Sequence, residues 1–217
     1  MEFLRDYFLL QERRVKSSLR IRREVKDLNL APDIYVQNLE DIDFGLLAKM
    51  GIHSYIVDWD QTACDKKGNL SRRNAYALRD AVEREVIQNI IVLTNSLPTD
   101  RKTKEETIMI NMETMVGIPI RKVICLSLYD HKPKVTGFKM ALDELGCDPR
   151  EVGVIGDQLI SDIKGAKRIG VLAILVDPVG AYGWKTVLSM RYFRNQWAKK
   201  KLGLRYTNMR QIRKELP

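Results

Sequence analysis

The chain has 217 residues, 45% of them hydrophobic and 30% charged, which is enough apolar content to bury a core and argues against wholesale disorder. It contains no run of eighteen apolar residues and so encodes no membrane-spanning helix. Three cysteines without a C-x-x-C argue against a disulfide framework or a Cys-ligated zinc site and point to a reducing compartment. The net charge of +9 is unevenly spread. Residues 1–28 hold eight basic and five acidic side chains, residues 29–184 nineteen and twenty-two, and residues 185–217 ten and one. A near-neutral body with a basic end suggests a small acidic site plus a separate surface for an anionic partner.

In chain order, residues 1–28 read as an appended charged helix. Glu2, Arg5 and Asp6 break any apolar signal-peptide core, and the five acids weigh against a transit peptide. Pro32 marks the entry to the main domain, taken as residues 29–183. His53 to Val57 is predicted as a buried strand ending at Asp58. Ser71 to Val86 follows as a helix with Ser71 as N-cap, and Asn89 to Leu93 as a second strand. Thr99 to Met115 reads as a helix and Lys122 to Leu126 as a third strand. Val135 to Leu145 is a helix closed by Gly146. Val152 to Ile155 is a fourth strand, Ile160 to Ile169 a helix closed by Gly170, and Val171 to Val176 a fifth strand. Residues 184–217 form a basic, aromatic terminal segment.

Continuously apolar strands alternating with amphipathic helices predict an α/β fold, a Rossmann-like doubly wound parallel sheet of about five strands. Such sheets bind ligands at the carboxyl ends of their strands. The unusual polar residues lie there. Asp58 and Asp60 follow the first strand, with Gln61 and Thr62 behind them. Thr94-Asn95-Ser96 ends the second strand, Lys132-Pro133 precedes a helix, and Asp157 and Asp162 follow the fourth strand. Singly, each reads as an ordinary turn, cap or exposed lysine. Together they gather carboxylates that would repel one another without a hard divalent cation. Carboxylate, cation, hydroxyl and lysine make a receptor for a phosphoryl group.

The order D-x-D-x-T, T-N, K-P and G-D-x-x-x-S-D resembles the four motifs of the haloacid dehalogenase (HAD) superfamily of phosphatases, across about residues 52–177. The flanks, Pro32-Asp33 and the aromatic-basic stretch after Asp177-Pro178-Val179, resemble the YqeG-type branch, which includes phosphatidylglycerophosphatases. The resemblance implies Asp58 as nucleophile and Asp60 as general acid and base. It implies Mg²⁺ held by Asp58, Asp157 and the main-chain carbonyl of Asp60, with Asp162 orienting the metal site. Thr94 and the amide of Asn95 would hold phosphate oxygens, Lys132 would neutralise charge, and Thr62 would steady the turn. Gln61 departs from the branch, which usually has Asn or Gly there. His53, Cys64 and Cys125 read as structural, and His131 as a minor neighbour of Lys132.

Neither the 32 positions from Thr62 to Thr94 nor the 38 from Thr94 to Lys132 can house a cap of ~50 residues or more. An open site suits a phosphate borne on a large body. Aromatic residues Trp184, Tyr192, Phe193 and Trp197 among Lys185, Arg191, Arg194 and Lys199 to Lys201 suit an anionic membrane surface. The expectation is therefore a Mg²⁺-dependent phosphatidylglycerophosphatase, peripheral to a membrane in a cytoplasm or organellar matrix. The rivals are a phosphatase of a soluble phosphorylated sugar, nucleotide or protein, and a non-catalytic module that binds nucleic acid or ribosomes through its basic ends.

Overall fold

The structure, a computed structural model, describes residues 30–95, 101–117, 120–127, 130–180 and 191–215. The helix expected over residues 1–28, Ser96, the first residues of the Thr99 helix, and Trp184 and Lys185 lie outside the described residues.

Six parallel strands form one sheet: β1 (Ile34–Tyr35), β2 (Ser54–Val57), β3 (Asn89–Asn95), β4 (Lys122–Leu126), β5 (Val152–Gly156) and β6 (Leu172–Leu175), in the order β1-β6-β5-β2-β3-β4. The helices are α1 (Phe44–Lys49), α2 (Arg72–Glu83), α3 (Arg101–Val116), α4 (Val135–Leu145), α5 (Lys164–Ile169), α6 (Arg191–Lys201) and α7 (Met209–Glu215). The doubly wound parallel sheet expected from sequence is present, with one strand more than the five expected. The addition, β1, is two residues long and pairs with β6 through Ile34↔Ile174 and Tyr35↔Leu175.

Alternation along each strand divides the core between the two faces of the sheet. Tyr55, Val57, Ile90 and Val92 face α1, α2 and α3, against Phe44, Leu78 and Ile108. Ile56, Ile91 and Leu93 face the other way, against Phe138 of α4, Ala166 of α5 and Ala198 of α6. Burial on both faces is why the strands carry so few polar residues.

Helix α4 spans the residues expected and ends at Gly146, whose φ of 66° is a left-handed conformation that glycine adopts without a Cβ penalty. Ser71 stands at the N-cap of α2 without a side-chain capping bond. The helix expected from Ile160 is divided: Leu159–Ile163 forms a π-turn and α5 begins only at Lys164.

The sheet order places the site. The chain runs outward from β2 through β3 to β4, then returns to β5 and β6 on the other side of β2. The strand order reverses between β2 and β5, which is where an open α/β sheet leaves a crevice beyond the strands' carboxyl ends. Asp58 leaves β2 there, Asp157 leaves β5, and Thr94 lies near the end of β3.

The terminal segment, set apart in sequence as residues 184–217, is packed on the domain over residues 191–215. Ala198 is fully buried, Lys199 Nζ reaches Asp177 Oδ1 at 2.6 Å, and Met209 joins the core. Arg213 pairs with Asp43. Thr207 pairs with β1: its hydroxyl accepts from Tyr35 N at 2.9 Å and its N–H donates to the Tyr35 carbonyl at 2.6 Å.

Candidate active site

Asp58 is buried directly after β2, its N–H donating to the carbonyl of Ile155 on β5 at 2.9 Å. Its Oδ1 accepts from Lys132 Nζ at 2.5 Å and its Oδ2 from Thr62 Oγ1 at 3.2 Å. Lys132 Nζ also donates to Asp162 Oδ1 at 2.6 Å, so one ammonium joins the carboxylates that follow β2 and β5. Asp162 Oδ2 accepts from the Gln158 N–H and the Ser161 hydroxyl, each at 3.1 Å. The wide π-turn allows this return onto its own loop, and such turns are frequent at functional sites.

Oxygens of Asp58, Asp157 and Asp162 lie within 4.8 Å of one another, and all three residues are buried. Lys132 supplies one positive charge against three carboxylates. That all-oxygen donor set, gathered where water is scarce, fits a hard divalent cation such as Mg²⁺. Burial pushes the Asp58 carboxyl up to about 7; Lys132 opposes the shift, and the charges of Asp162 and Asp60 add to it. For Lys132 burial works downward, but the charges of Asp162 and Asp58 overcome it and hold the ammonium above its usual range.

Gly156 lets Asp162 approach. A Cβ at this position would lie 2.4 Å from both Cβ and Cγ of Asp162. Thr62 supports the centre twice: its hydroxyl reaches Asp58, and its carbonyl accepts from Asn74 Nδ2 of α2 at 3.0 Å.

Asp60 is separate from this cluster. Its carboxylate is half-exposed, and Oδ2 accepts from Thr94 Oγ1 at 2.9 Å. Asn95 uses its side chain to fix the next motif, Oδ1 accepting from Lys132 N at 2.9 Å. The sequence-predicted residues that the structure describes thus converge on one crevice: Asp58, Thr62, Lys132, Asp157 and Asp162 at its buried centre, Asp60, Thr94 and Asn95 on its β3 side. Gln61 has φ 62°. This left-handed turn is the physical reason Asn or Gly suits the position.

Two contributors were not legible as site residues. Lys104 of α3 reaches Asp60 Oδ2 at 2.7 Å, Thr94 Oγ1 at 3.1 Å and the Asn95 carbonyl at 3.1 Å. In sequence it is one more charge on a polar helix. Asn195 of α6 brackets the Asp157 loop. Its Nδ2 donates to the Asp157 carbonyl at 2.9 Å, and its Oδ1 accepts from Leu159 N at 3.1 Å. The one available signal was an amide on a helix face that proved to be buried. Cys64, also buried, has its thiol pushed up to about 12, chiefly by burial, which makes it inert.

The chain is similar to known proteins over part of its length. Residues 130–186, which carry Lys132, Asp157 and Asp162, match the HAD-hydrolase-like family. Over 45 residues the chain is 47% identical to phospholysine phosphohistidine inorganic pyrophosphate phosphatase of Xenopus laevis, covering 21% of this chain and 17% of that protein. The figures are the same for haloacid dehalogenase-like hydrolase domain-containing protein 2 of Homo sapiens. The aligned stretch therefore spans under one fifth of the length of these curated relatives. Among solved structures, an uncharacterized protein from Listeria monocytogenes serotype 4b aligns at a TM-score of 0.44 and 17% identity, covering 67% of this chain and 99% of that one. The matched segment carries three of the residues gathered at this crevice and is similar to HAD-like hydrolases over residues 130–186.

Proposed function

We propose that this chain hydrolyses phosphomonoesters through an aspartyl-phosphate. The observation that carries the reading is the Asp58 carboxylate, buried between Lys132 and Thr62, with a second carboxylate, Asp60, held apart by Thr94. Asp58 attacks phosphorus as the bond to the leaving oxygen breaks, and Asp60 delivers a proton to that oxygen. In the second step Asp60 takes a proton from water, the water oxygen attacks phosphorus, and the bond to Asp58 breaks to release inorganic phosphate. Lys132 holds the nucleophile in place and offsets phosphoryl charge, and Thr94 orients Asp60. Mg²⁺ held by Asp58, Asp157 and Asp162 would supply further charge neutralisation at the phosphoryl oxygens.

Within this class we propose a lipid-borne substrate, phosphatidylglycerophosphate, met by a peripheral enzyme at an anionic membrane facing a cytoplasm or organellar matrix. Two features support it. Among the described residues the intervals between motifs hold one helix and one strand each, and intervals of this length are too short for a folded cap of ~50 residues. The outward face of α6 carries Phe193, Trp197, Lys200 and Lys201 at helical spacing, all exposed. Among the described residues no helix is long and apolar enough to cross a membrane. The short stretch of high identity to a phosphatase of phospholysine, phosphohistidine and pyrophosphate favours the second reading, a soluble phosphorylated substrate.

The test is magnesium-dependent release of phosphate from p-nitrophenyl phosphate and from phosphatidylglycerophosphate in vesicles. Asp58→Asn should reduce either turnover by at least ~10³-fold with an unchanged circular dichroism spectrum. Near-normal turnover by Asp58→Asn refutes the nucleophile. Equal turnover of soluble and vesicle-borne esters refutes the lipid assignment.

A further inference from the structure

Asp60 also lines a cleft of about 470 Å³, together with Trp59, Lys66, Lys67, Thr103 and Lys104. Asp60 is the group that protonates the leaving oxygen in the reaction proposed above. The leaving group must therefore lie against Asp60, and this cleft opens beside it. Its charged lining is three lysines against one carboxylate.

The lysines are presented by built elements. Lys66 and Lys67 stand on a turn closed by Asp65, whose Oδ1 accepts from Lys67 N at 2.7 Å and from Asn69 N at 3.1 Å, while Oδ2 accepts from Asn69 Nδ2 at 3.1 Å. The Asp65 carboxylate is thereby spent on its own turn, and the two ammonium groups are left exposed at the cleft rim. Among the described residues neither Lys66 nor Lys67 makes an ion pair. Lys104 forms the boundary between cleft and centre, touching Asp60, Thr94 and the Asn95 carbonyl.

We propose that this cleft is a subsite for a second anion on the leaving group. The substrate is then a phosphomonoester whose alcohol carries another phosphate, either a lipid phosphodiester or the free second phosphate of a small bisphosphate. Lys66 and Lys67 bind that anion, and Lys104 lies between it and the ester phosphate. The proposal rests on the hydrolytic reading above, because that reading assigns the leaving group to the Asp60 side. The same charges favour discrimination over raw affinity: Lys104 is already paired with Asp60, so a leaving group without an anion leaves Lys66 and Lys67 unmatched at the rim.

The experiment compares kcat/KM for glycerol bisphosphate, vesicle-borne phosphatidylglycerophosphate and glycerol 3-phosphate, in the wild type and in the Lys66→Ala/Lys67→Ala double variant. Exposed ammonium contacts contribute up to a factor of about five each, so the wild-type preference for a doubly phosphorylated substrate should fall about tenfold. A loss confined to the vesicle-borne substrate identifies the lipid diester as the second anion, and a loss shared with glycerol bisphosphate identifies phosphate chemistry irrespective of lipid. An equal loss on glycerol 3-phosphate, or no loss on any substrate, overturns the subsite. Calorimetric binding of glycerol bisphosphate and glycerol 3-phosphate to Asp58→Asn, with and without the double substitution, separates the two proposals. A Lys66/Lys67-dependent preference in binding without turnover by the otherwise wild-type protein supports the subsite and removes the hydrolytic reading.

Discussion

Asn195 gives the strongest test of how the domain holds the loop that carries Asp157. Its amide lies on α6, far along the chain from the four motifs, yet it bonds the main chain on both sides of Gln158, at the Asp157 carbonyl and the Leu159 N–H. Asn195→Ala removes both bonds and strands two buried main-chain groups. A buried group left unsatisfied costs roughly 1–3 kcal/mol. Taking about 3 kcal/mol for the pair, with some relief from local relaxation, the melting midpoint of a domain this size should fall by roughly 6–12 °C. The Asp157 loop should also lose its fixed orientation. Partners that orient metal ligands cost 10–100-fold in metal affinity when removed, and a main-chain clip belongs at the lower end, about tenfold. The assays are thermal unfolding without metal and a magnesium titration of phosphatase activity. Gln196→Ala, exposed on the next position of the same helix, is the control and should stay within about 0.5 kcal/mol of wild type. A lower midpoint with an unchanged magnesium requirement would reduce Asn195 to a packing residue. Loss of neither would refute the reasoning.

Two further outcomes follow from the same centre. Asp58 without metal has a carboxyl raised from 3.8 to about 7, so the metal-free fold binds a proton there that the unfolded chain releases. This contribution to stability is complete below about pH 4 and is lost as the pH rises toward 7 and beyond. A divalent cation needs the deprotonated carboxylate, so the rise in melting midpoint given by Mg²⁺ should grow from pH 5.5 to 7.5; a midpoint shift that is flat or grows toward acid contradicts the buried Asp58 arrangement. Gly156→Ala would drive a methyl group to within 2.4 Å of Asp162, which is itself almost fully buried. The variant should lose ~1–3 kcal/mol in urea unfolding and require more magnesium, and wild-type behaviour in both would show that Asp162 is free to move.

The sheet and the site differ in how they can be read from sequence, for physical reasons. Four of the strands are continuous apolar runs because both faces are covered, and that pattern is local. The Asp58, Asp157 and Thr94 positions were legible because parallel strands deliver their carboxyl ends to one edge, so residues distant in sequence meet by topology alone. β1 was not legible, since two residues give no periodicity. The π-turn at Leu159–Ile163 was hidden within a helical pattern because its cause is a contact: Asp162 turns back to Gln158 and across to Lys132. Lys104 was hidden for the opposite reason. Nothing local distinguishes a solvated lysine from one that reaches Asp60, and only the packing of α3 beside β4 decides between them.

The terminal segment shows why charge alone misleads about a docking surface. Ten basic residues against one acid suggest a tail with every cation available. Lys199 is instead buried, its ammonium shared between Asp177 and the Tyr35 hydroxyl, and Arg213 is paired to Asp43. These two cations hold the segment to the domain and are unavailable to an anionic surface. The helix that carries Lys199 divides by face. Asn195, Ala198, Lys199 and Leu202 turn inward, while Phe193, Trp197, Lys200 and Lys201 turn outward. A count of charges cannot make that division, and neither can apolar periodicity, because two of the four inward residues are an asparagine and a lysine. Removal of residues 199–217 would therefore take away the Lys199 and Tyr206 contacts to Asp177, the Thr207 pairing with β1 and the buried Met209, as well as the exposed cations. Charge reversal at Lys200 and Lys201 alone addresses the outward face without disturbing the inward one.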